Sequence, residues 1–447
     1  MKLSVVGIGH VGLTTAACFA RIGHDVIAVD IDPARVEDIA RGDIPFHEPG
    51  LAKLVRAELA SGRLVVSSDV ADAAEAVIAF ICVGTPPQED GSADVGALED
   101  AAATLARAAS GDLLLAQKST VPVGTAANIE ELARAAAPTG VAIDVASNPE
   151  FLREGHAIDD TLRPARIVGA RSPEAVELLR SAYRPIIDET GCAFVATDVA
   201  TAELVKQASN AFLATKISFA NLVADLCERT GADVETVTSA MGMDERIGPR
   251  FLSAGLGYGG GCIPKDVAAF FRTTEQLGVD AGLLREVQRI NVERAQVLLS
   301  KIRSGAGPLA ERRIAVWGLA FKPGTDDLRS APGIDVARRL LEEGADVVAF
   351  DPEAMPAAKS LIPRATFASD PYEAAAGAAC LVICTDWEEF RSADLEQLRA
   401  ALAAPVVVDG RNLFDPETLR ENGFRYVSVG RPDAGGAGED EGGANEG

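Results

Sequence analysis

A glycine-rich turn near the start of the chain constrains its fold more than any other feature. The stretch Gly7-Ile8-Gly9-His10-Val11-Gly12 follows a predicted strand, Leu3–Gly7, and opens a helical pattern. In such a unit the first glycine permits a tight turn, the second lets a pyrophosphate approach the backbone, and the third lets helix pack on strand. Asp30 ends the next predicted strand, where a carboxylate binds a ribose hydroxyl and repels a 2′-phosphate. The pattern predicts a dinucleotide-binding unit that takes NAD rather than NADP.

The order of predicted strands and helices indicates two units of the same kind. In the first half, short apolar runs alternate with alanine- and leucine-rich stretches, as in a parallel sheet covered by helices. The strands predicted there are Leu3–Gly7, Asp25–Asp30, Val77–Val83, Leu113–Gln117 and Ala142–Ser147. The alternation restarts at Arg313. It predicts a helix over Ile334–Glu343 and strands over Ile314–Gly318, Val347–Asp351, Cys380–Thr385, Val406–Asp409 and Tyr426–Val429.

A helical middle is predicted between these halves. Helical patterns cover Ala202–Arg229 and Leu283–Ser300, and the glycine-containing stretch Ser304–Pro308 is predicted to be a linker. The predicted fold class is therefore α/β, with two Rossmann-like doubly wound parallel-sheet domains joined by a central all-helical region. The predicted domains are 1–200, 201–303 and 304–430, followed by a disordered acidic tail at 431–447.

Composition excludes several classes of protein. The chain has 447 residues with 42 Lys and Arg against 66 Asp and Glu, and its net charge of −24 disfavours nucleic acid and anionic membranes as partners. Its longest apolar run, about Ala76–Val83, is far shorter than the roughly 20 residues that span a bilayer. The start lacks the features of a signal peptide. The 7 cysteines show no disulfide or metal spacing, so we expect a soluble cytoplasmic protein without a metal site.

Three segments combine residue types that suit catalysis. They are Asn148–Gly155, the pair Lys206 and Asn210 on one helical face, and the glycine-rich stretch Gly255–Asp266. The glycines before Cys262 leave its thiol unshielded, which favours a nucleophile, whereas the other six cysteines are interpreted as small core residues. A cysteine nucleophile beside a NAD site suggests aldehyde oxidation. In that reaction a thiolate adds to the aldehyde, a hydride leaves, and water hydrolyses the thioester.

This route requires a base for the water and hydrogen-bond donors for the oxyanion. Glu150 and Glu154 are the candidate bases, and Lys206 and Asn210 are the candidate donors. Two loops that end predicted strands, Val83–Pro87 and Lys118–Pro122, lie at the edge where such ligands bind. Residue chemistry does not distinguish them from ordinary loops.

These segments together resemble the UDP-glucose/GDP-mannose dehydrogenase family. The resemblance extends from Met1 to about Gly430. It rests on six blocks in the family's order, which are Gly7–Gly12, Glu48–Leu51, Ser119–Thr125, Asn148–Gly155, Gly255–Asp266 and Phe321–Arg329. It implies a two-step, four-electron, NAD-dependent oxidation of a nucleotide sugar's primary alcohol to a carboxylate, with UDP-glucose as substrate and UDP-glucuronate as product.

The resemblance also implies a role for each candidate residue. Cys262 is the expected nucleophile, which forms a thiohemiacetal and then a thioester. Lys206 and Asn210 are expected to stabilise oxyanions. Glu150 is the expected base for thioester hydrolysis. For the first oxidation, the residues expected to handle the proton through a bound water are Asp266 and Thr120.

Further residues are implied to bind the two ligands, and the first and last domains are implied to hold NAD and the UDP-sugar. The expected cofactor residues are Gly7, Gly9, His10, Val11, Gly12, Asp30, Arg35, Gly84, Thr85, Pro86, Ser119, Thr120, Glu154, Lys265 and Arg329. The expected sugar-nucleotide residues are Phe151, Leu152, Arg153, Glu154, Lys206, Asn210, Arg246, Phe251, Tyr258, Gly259, Gly260 and Lys322. Arg246 is expected to reach the sugar of a neighbouring subunit. The chain is therefore expected to form a homodimer or a larger homo-oligomer, with the helix Ala202–Arg229 at the dimer contact.

Two departures from the family pattern and two alternatives remain. His10 stands where an aromatic residue is common, and Gly261 stands where a serine is frequent. The first alternative is a family member that oxidises GDP-mannose or a UDP-N-acetylhexosamine. The second belongs to another class, a non-catalytic sensor of NAD or a nucleotide sugar. The retention of Cys262, Lys206 and Asp266 favours an enzyme.

Overall fold

A computed structural model of the chain describes residues 1–170 and 172–432. These residues form two compact units, of which the first contains Met1–Asn210 and Ala268–Asp280. The second contains Ala211–Val267 and the chain from Ala281 on. The predicted disorder of the tail falls, apart from positions 431 and 432, outside the described residues.

The first unit is built on a sheet of eight strands. They are β1 (Lys2–Val6), β2 (Asp25–Val29), β3 (Leu64–Ser67), β4 (Ile78–Ile81), β5 (Leu113–Gln117), β6 (Ile143–Ser147), β7 (Arg166–Ala170) and β8 (Ala193–Thr197). Their order is β3-β2-β1-β4-β5-β6-β7-β8, and the first six run parallel. The strand β7 runs antiparallel to β6 and parallel to β8. Fully buried strands such as β4 and β5 explain the continuous apolar runs in the sequence.

Helices cover this sheet and begin at residues that satisfy their free N–H groups. Asp32 and Ser172 accept backbone hydrogen bonds at the starts of two of them. The helices of this part of the chain are α1 (His10–Arg21), α2 (Pro33–Ala40), α3 (Leu51–Ser61), α4 (Gly96–Ala108), α5 (Thr125–Ala136), α6 (Ala157–Leu162) and α7 (Pro173–Thr190), with a 3-10 helix at Val70–Glu75.

The middle of the chain is helical, as predicted. It contains α8 (Val199–Thr230), α9 (Val234–Gly242), α10 (Ile263–Gln276) and α11 (Gly282–Ala306). The stretch Ser304–Pro308 was predicted to be a linker, but α11 continues through its first three residues. Ala306 is buried against the core of the second unit, and this packing extends the helix past a glycine.

The second unit contains a parallel sheet of six strands. They are β9 (Arg313–Trp317), β10 (Asp346–Phe350), β11 (Thr366–Phe367), β12 (Cys380–Ile383), β13 (Val406–Asp409) and β14 (Arg425–Ser428). Their order, β11-β10-β9-β12-β13-β14, repeats the order of the first six strands of the other sheet, which confirms the predicted fold class. The helices that follow the central ones are α12 (Pro332–Glu342), α13 (Met355–Leu361), α14 (Pro371–Ala375), α15 (Glu388–Arg391), α16 (Leu395–Ala401) and α17 (Pro416–Glu421).

Candidate active site

The glycine turn of the first unit has the geometry that a dinucleotide requires. Gly7 has φ +88°, and a Cβ on Gly12 would lie 1.8 Å from the Gly7 carbonyl oxygen, so both positions require glycine. Gly9 has open space where its Cβ would stand. It gives α1 no side-chain cap, and the first turn of that helix carries no acidic residue. This turn, which includes Val11, therefore presents free backbone N–H groups that suit a pyrophosphate.

Asp30 lies at the end of β2, beside this turn. Its carboxylate accepts hydrogen bonds from the backbone N–H of Ile8 (3.0 Å) and of Asp32 (3.1 Å). The Arg35 guanidinium pairs with it at 3.2 Å. The carboxylate is fixed at the position where a ribose hydroxyl would be bound, and the residues present fit NAD.

His10 points toward the segment that carries the sugar-nucleotide candidates. Its Nε2 lies 2.6 Å from Oε2 of the buried Glu48, and its ring stacks on Phe46 with centroids 4.6 Å apart. Glu48 also accepts hydrogen bonds from the backbone N–H of Gly155 (2.7 Å) and Ala157 (2.9 Å). Burial opposes ionisation of Glu48, but the hydrogen bonds from His10 and the two backbone groups outweigh it and lower its pKa. Glu48 thus connects the glycine turn to the loop before α6.

The loops after β4 and β5 meet at the carboxyl edge of the sheet. The Thr85 hydroxyl donates to the carbonyl of Thr120 (2.9 Å), and the Ser119 hydroxyl donates to the carbonyl of Val83 (2.7 Å). Gly84 and Pro86 flank Thr85 and are exposed. The predicted residues of both loops are therefore brought together.

A buried ion pair joins two of the candidate catalytic residues. Lys206 donates from Nζ to Oε1 of Glu150 at 3.0 Å, and both side chains are about 5% exposed. Burial opposes ionisation of Glu150, yet the charge of Lys206 and the backbone N–H of Leu152 prevail and lower its pKa. Glu150 is therefore ionised at neutral pH and can accept a proton. Asn210 is buried one turn after Lys206, on the same face of α8.

The residues after Glu150 form a loop with mixed roles. The Phe151 ring lies under two cations, 5.4 Å from Lys206 Nζ and 4.0 Å from the Arg166 guanidinium carbon. Arg153 forms two hydrogen bonds to Asp160 in α6, at 2.9 and 2.7 Å, so its side chain holds the loop. Glu154 is partly buried next to these residues.

In the second unit, Cys262 directly precedes α10. Its carbonyl accepts the first hydrogen bond of that helix, from the N–H of Asp266 at 3.0 Å, and its side chain is partly buried. Asp266 is almost fully buried and accepts a hydrogen bond from Lys265 Nζ at 2.6 Å. A helix N-terminus favours negative charge, so this position suits a thiolate.

The glycines before Cys262 pack against the segment after β9. A Cβ on Gly259 would lie 2.4 Å from the Ser330 carbonyl oxygen, and one on Gly261 would lie 2.1 Å from the Arg329 guanidinium carbon. The N–H of Gly260 donates to the Arg329 carbonyl at 2.8 Å. Gly261 is thus in close contact with Arg329, a residue predicted to bind the cofactor.

Four other residues of this unit, which were predicted to bind the sugar nucleotide, lie in different environments. Tyr258 is buried, and burial raises its pKa to about 12. Phe251 has φ +65°, an uncommon conformation for a residue with a side chain. Lys322 Nζ lies 5.3 Å from the Phe321 ring centroid. Arg246 is 88% exposed and pairs with Asp244 at 2.6 Å.

Asp351, at the end of β10, occupies the position in the second sheet that Asp30 occupies in the first, but its hydrogen-bond partners are different. The Asp351 carboxylate accepts hydrogen bonds from the backbone N–H of Leu319 (2.7 Å) and Ala320 (3.0 Å). It also accepts one from Trp387 Nε1 at 3.2 Å and is fully buried. Its other oxygen accepts from the backbone N–H of Glu353 (3.0 Å) and Ala354 (2.8 Å), so both oxygens are engaged within the fold and the second unit does not repeat the arrangement at Asp30.

Sequence reasoning missed the residues that hold these loops in place. Arg411 donates to the carbonyls of Cys384 (2.9 Å), Gly257 (3.2 Å) and Phe321 (3.1 Å). Glu203 binds the start of α5, and Asn291 binds Tyr258. No local pattern identifies these three residues, because their partners are distant in sequence. Glu48 lies in the block Glu48–Leu51, which marked the segment without indicating its role.

Residues 1–170 and 172–432 contain no group of three or more His, Cys, Asp or Glu that could hold a metal ion. In the same part of the chain, every helix is too short or too polar to cross a membrane.

Three family models match the chain in succession. Residues 1–187 match the NAD binding domain of the UDP-glucose/GDP-mannose dehydrogenase family, 200–293 its central domain and 315–416 its UDP binding domain. The UDP-glucose 6-dehydrogenase of Rhizobium meliloti is 43% identical over 97% of this chain and 100% of its own length. That of Pseudomonas aeruginosa is 44% identical over 97% of this chain and 98% of its own length. The structure of a UDP-glucose dehydrogenase from Pyrobaculum islandicum superposes with a TM-score of 0.90 at 40% identity, over 96% of this chain and 98% of that one.

Proposed function

The chain belongs to the UDP-glucose/GDP-mannose dehydrogenase family, and from that membership we propose that it oxidises UDP-glucose to UDP-glucuronate in two NAD-dependent steps. The observation that carries the proposal is 43% and 44% identity, over nearly the whole chain, to two UDP-glucose 6-dehydrogenases. When bound, NAD supplies the hydride acceptor for both oxidations. The residues of the chain bind, orient and deprotonate the sugar.

The first oxidation converts the primary alcohol to an aldehyde. Asp266 and Thr120, acting through a bound water, take the proton of the hydroxyl as its carbon loses a hydride. The glycine turn and Asp30 hold the cofactor for this step, and Lys265 and Arg329 complete its site. Cys262 is not needed until the aldehyde has formed.

The second oxidation proceeds through a covalent adduct. The thiolate of Cys262 adds to the aldehyde carbon, and the resulting thiohemiacetal loses a hydride to give a thioester. Lys206 and Asn210 donate hydrogen bonds to the developing oxyanion. Glu150 takes a proton from the water that attacks the thioester, which releases the acid and the free thiol. Because the aldehyde forms within the site, its capture is intramolecular and its release is disfavoured.

We assign the sugar nucleotide to the loops at Phe151–Glu154 and Tyr258–Gly260, together with Lys322. In domain terms we propose a cofactor domain at 1–200, a central domain at 201–303 and a sugar-nucleotide domain at 304–430. The seven cysteines, all within the part of the chain that the structure describes, form no disulfide, which suits an enzyme that needs a reduced thiol, and we place it in the cytoplasm.

We also propose that the enzyme is at least a homodimer that pairs through α8. This helix exposes large apolar side chains at a spacing of seven, three and four residues, which is the pattern of a helix–helix contact. They are Phe212 (64% exposed), Phe219 (47%), Leu222 (45%) and Leu226 (56%). The exposed Arg246 then contributes to the sugar site of the partner subunit.

The test is the number of NADH molecules formed per sugar consumed at saturating NAD. We expect two for UDP-glucose with the wild type, a stalled adduct with Cys262→Ser, and wild-type stoichiometry with the control Cys192→Ser. GDP-mannose and UDP-N-acetylglucosamine are assayed alongside. Turnover of only GDP-mannose or only UDP-N-acetylglucosamine would change the proposed substrate. One NADH per sugar would refute the thioester route. NAD binding without turnover of any of the three sugars would indicate a sensor.

A further inference from the structure

The loop that leads to Cys262 has no regular secondary structure, so other parts of the second unit must fix its backbone. The N–H of Gly255 donates to Asn221 Oδ1 at 2.8 Å, and the N–H of Leu256 donates to the Gly410 carbonyl at 3.1 Å. Between Tyr258 and Cys262 the chain is Gly-Gly-Gly, the sequence with the greatest backbone freedom. Besides the hydrogen bond from the Gly260 N–H to the Arg329 carbonyl, the position of the thiol therefore depends on what holds Tyr258.

Asn291, on α11, binds both backbone groups of Tyr258. Its Oδ1 accepts a hydrogen bond from the Tyr258 N–H at 2.8 Å, and its Nδ2 donates to the Tyr258 carbonyl at 3.1 Å. One side-chain amide thus makes the pair of hydrogen bonds that a neighbouring β-strand would make. A Cβ on Gly257 would lie 2.2 Å from Asn291 Oδ1, so the glycine at 257 permits this contact.

The helix that carries Asn291 is itself held firmly. One turn along α11, Arg294 forms two hydrogen bonds to the Asp225 carboxylate in α8, at 2.8 and 2.9 Å. The Arg294 side chain is only 4% exposed, which strengthens this pair relative to a surface ion pair. Asn291 is therefore a fixed point for the loop.

We propose that Asn291 is a positioning residue for Cys262, and this rests on the proposed function. By holding Tyr258, it limits the motion of the three glycines and keeps the thiol where the aldehyde forms. Without it the loop keeps the hydrogen bonds of Gly257 to Arg411 and of Gly260 to Arg329, but it loses both of those that hold the Tyr258 backbone. The expected defect is slow capture of the aldehyde, which then escapes before the second oxidation.

The test uses Asn291→Asp, which keeps the shape of the side chain. Its carboxylate still accepts from the Tyr258 N–H, but its second oxygen now repels the Tyr258 carbonyl. Asn291 borders a cavity of about 560 Å³, so water can solvate the new charge. The control Gln296→Glu makes the same amide-to-carboxylate change at an exposed position of α11.

We expect NADH per UDP-glucose consumed to fall from two toward one in Asn291→Asp and to stay at two in Gln296→Glu. Quenching with sodium borodeuteride would mark the escaped aldehyde as deuterated UDP-glucose. Stoichiometry per sugar consumed does not depend on the folded fraction, so a merely destabilised variant would still give two. In the ligand-free protein, we expect iodoacetamide to alkylate Cys262 at least threefold faster in Asn291→Asp, as followed by peptide mass spectrometry.

Two NADH per sugar and a wild-type alkylation rate in Asn291→Asp would overturn the proposal. If the wild type itself forms only one NADH or rejects UDP-glucose, the proposed function fails instead. The alkylation rate then still decides whether Asn291 holds the loop, because that measurement needs neither NAD nor the sugar.

Discussion

At the scale of single residues, Glu48 shows how one buried carboxylate can connect distant segments. It receives hydrogen bonds from His10 in the glycine turn and from Gly155 and Ala157, more than 100 residues later. Its side chain is 1% exposed, so each of these donors would lose its partner if the carboxylate were removed. The block Glu48–Leu51 is visible in the sequence, but the three donors are not, because they come together only in the folded unit.

We expect Glu48→Gln to lower the free energy of unfolding by about 1–3 kcal/mol at pH 7, since an amide nitrogen would replace one acceptor. The folded protein lowers the pKa of Glu48, so its contribution is present above the ordinary value of 4.5 and is lost as the pH falls through the folded value. When urea unfolding is measured at pH values from 7 down to 3.5, the difference in the free energy of unfolding between wild type and variant should decrease. The surface variant Glu131→Gln should show no such trend. A pH-independent difference for Glu48→Gln would contradict the stabilising role of the ionised Glu48 carboxylate.

At the scale of elements, α8 holds the loop that precedes α5. Gly124 gives α5 no side-chain cap, and Glu203 supplies the missing acceptors, from the N–H of Gly124 at 2.6 Å and of Ala126 at 2.8 Å. Gln207, one turn later, donates to the Val121 carbonyl at 3.0 Å. Lys206 and Asn210 belong to the same face, so the face that carries candidate catalytic residues also fixes the loop that follows Thr120.

Removing this cap should destabilise the loop and α5 together. Glu203→Ala leaves two backbone donors without acceptors, which we expect to cost about 2–4 kcal/mol. Hydrogen exchange over residues 121–136 should accelerate, and the urea midpoint should fall. Glu203→Gln, which retains one acceptor oxygen, should lie between the wild type and Glu203→Ala. Unchanged exchange in Glu203→Ala would show that the cap is dispensable.

Prediction from sequence succeeded for elements with strong local patterns and failed for weak ones. The helix over Ala202–Arg229 and the apolar central strands follow from periodicity and burial. The strands β3, β7, β8 and β11 were missed. The strands β3 and β8 form the edges of their sheet and are only partly buried, and β11 has only two residues. In the candidate site, the sequence identifies the glycine turn by its pattern and proposes Cys262 from the glycines before it, whereas Glu203, Asn291 and Arg411 act through partners far away in sequence.

At the scale of the whole molecule, the exposed side of α8 predicts how copies of the chain assemble. Large apolar side chains in a regular series on one helix are unusual on a surface in contact with water. In a symmetric dimer each of them is buried twice, once on each subunit. Assembly through this helix would account for the pattern and bring the exposed Arg246 to a partner.

The double variant Phe219→Glu/Leu226→Glu should be monomeric in light scattering and sedimentation. The variant removes two apolar side chains from each subunit, and because each is about half exposed in the single chain, the four together contribute about 3–6 kcal/mol to association, so the dissociation constant should rise by at least about 100-fold. Leu277→Glu, an equally drastic change at a position that is 72% exposed, should leave the assembly intact. We expect the monomer to lose turnover as well. A dimeric double variant would rule out α8 as the contact.

The two sheets share one strand order, yet their equivalent acids, Asp30 and Asp351, are used differently. This difference has an evolutionary consequence. Replacing Asp30 would remove a carboxylate that we propose binds the cofactor, whereas replacing Asp351 would leave the buried donors of Leu319, Ala320 and Trp387 without their acceptor. The same residue type at the same place in the two sheets is therefore under two different physical constraints. If the halves descend from one duplicated ancestor, restoring a second dinucleotide site would require rebuilding the surroundings of Asp351 as well as its glycine turn.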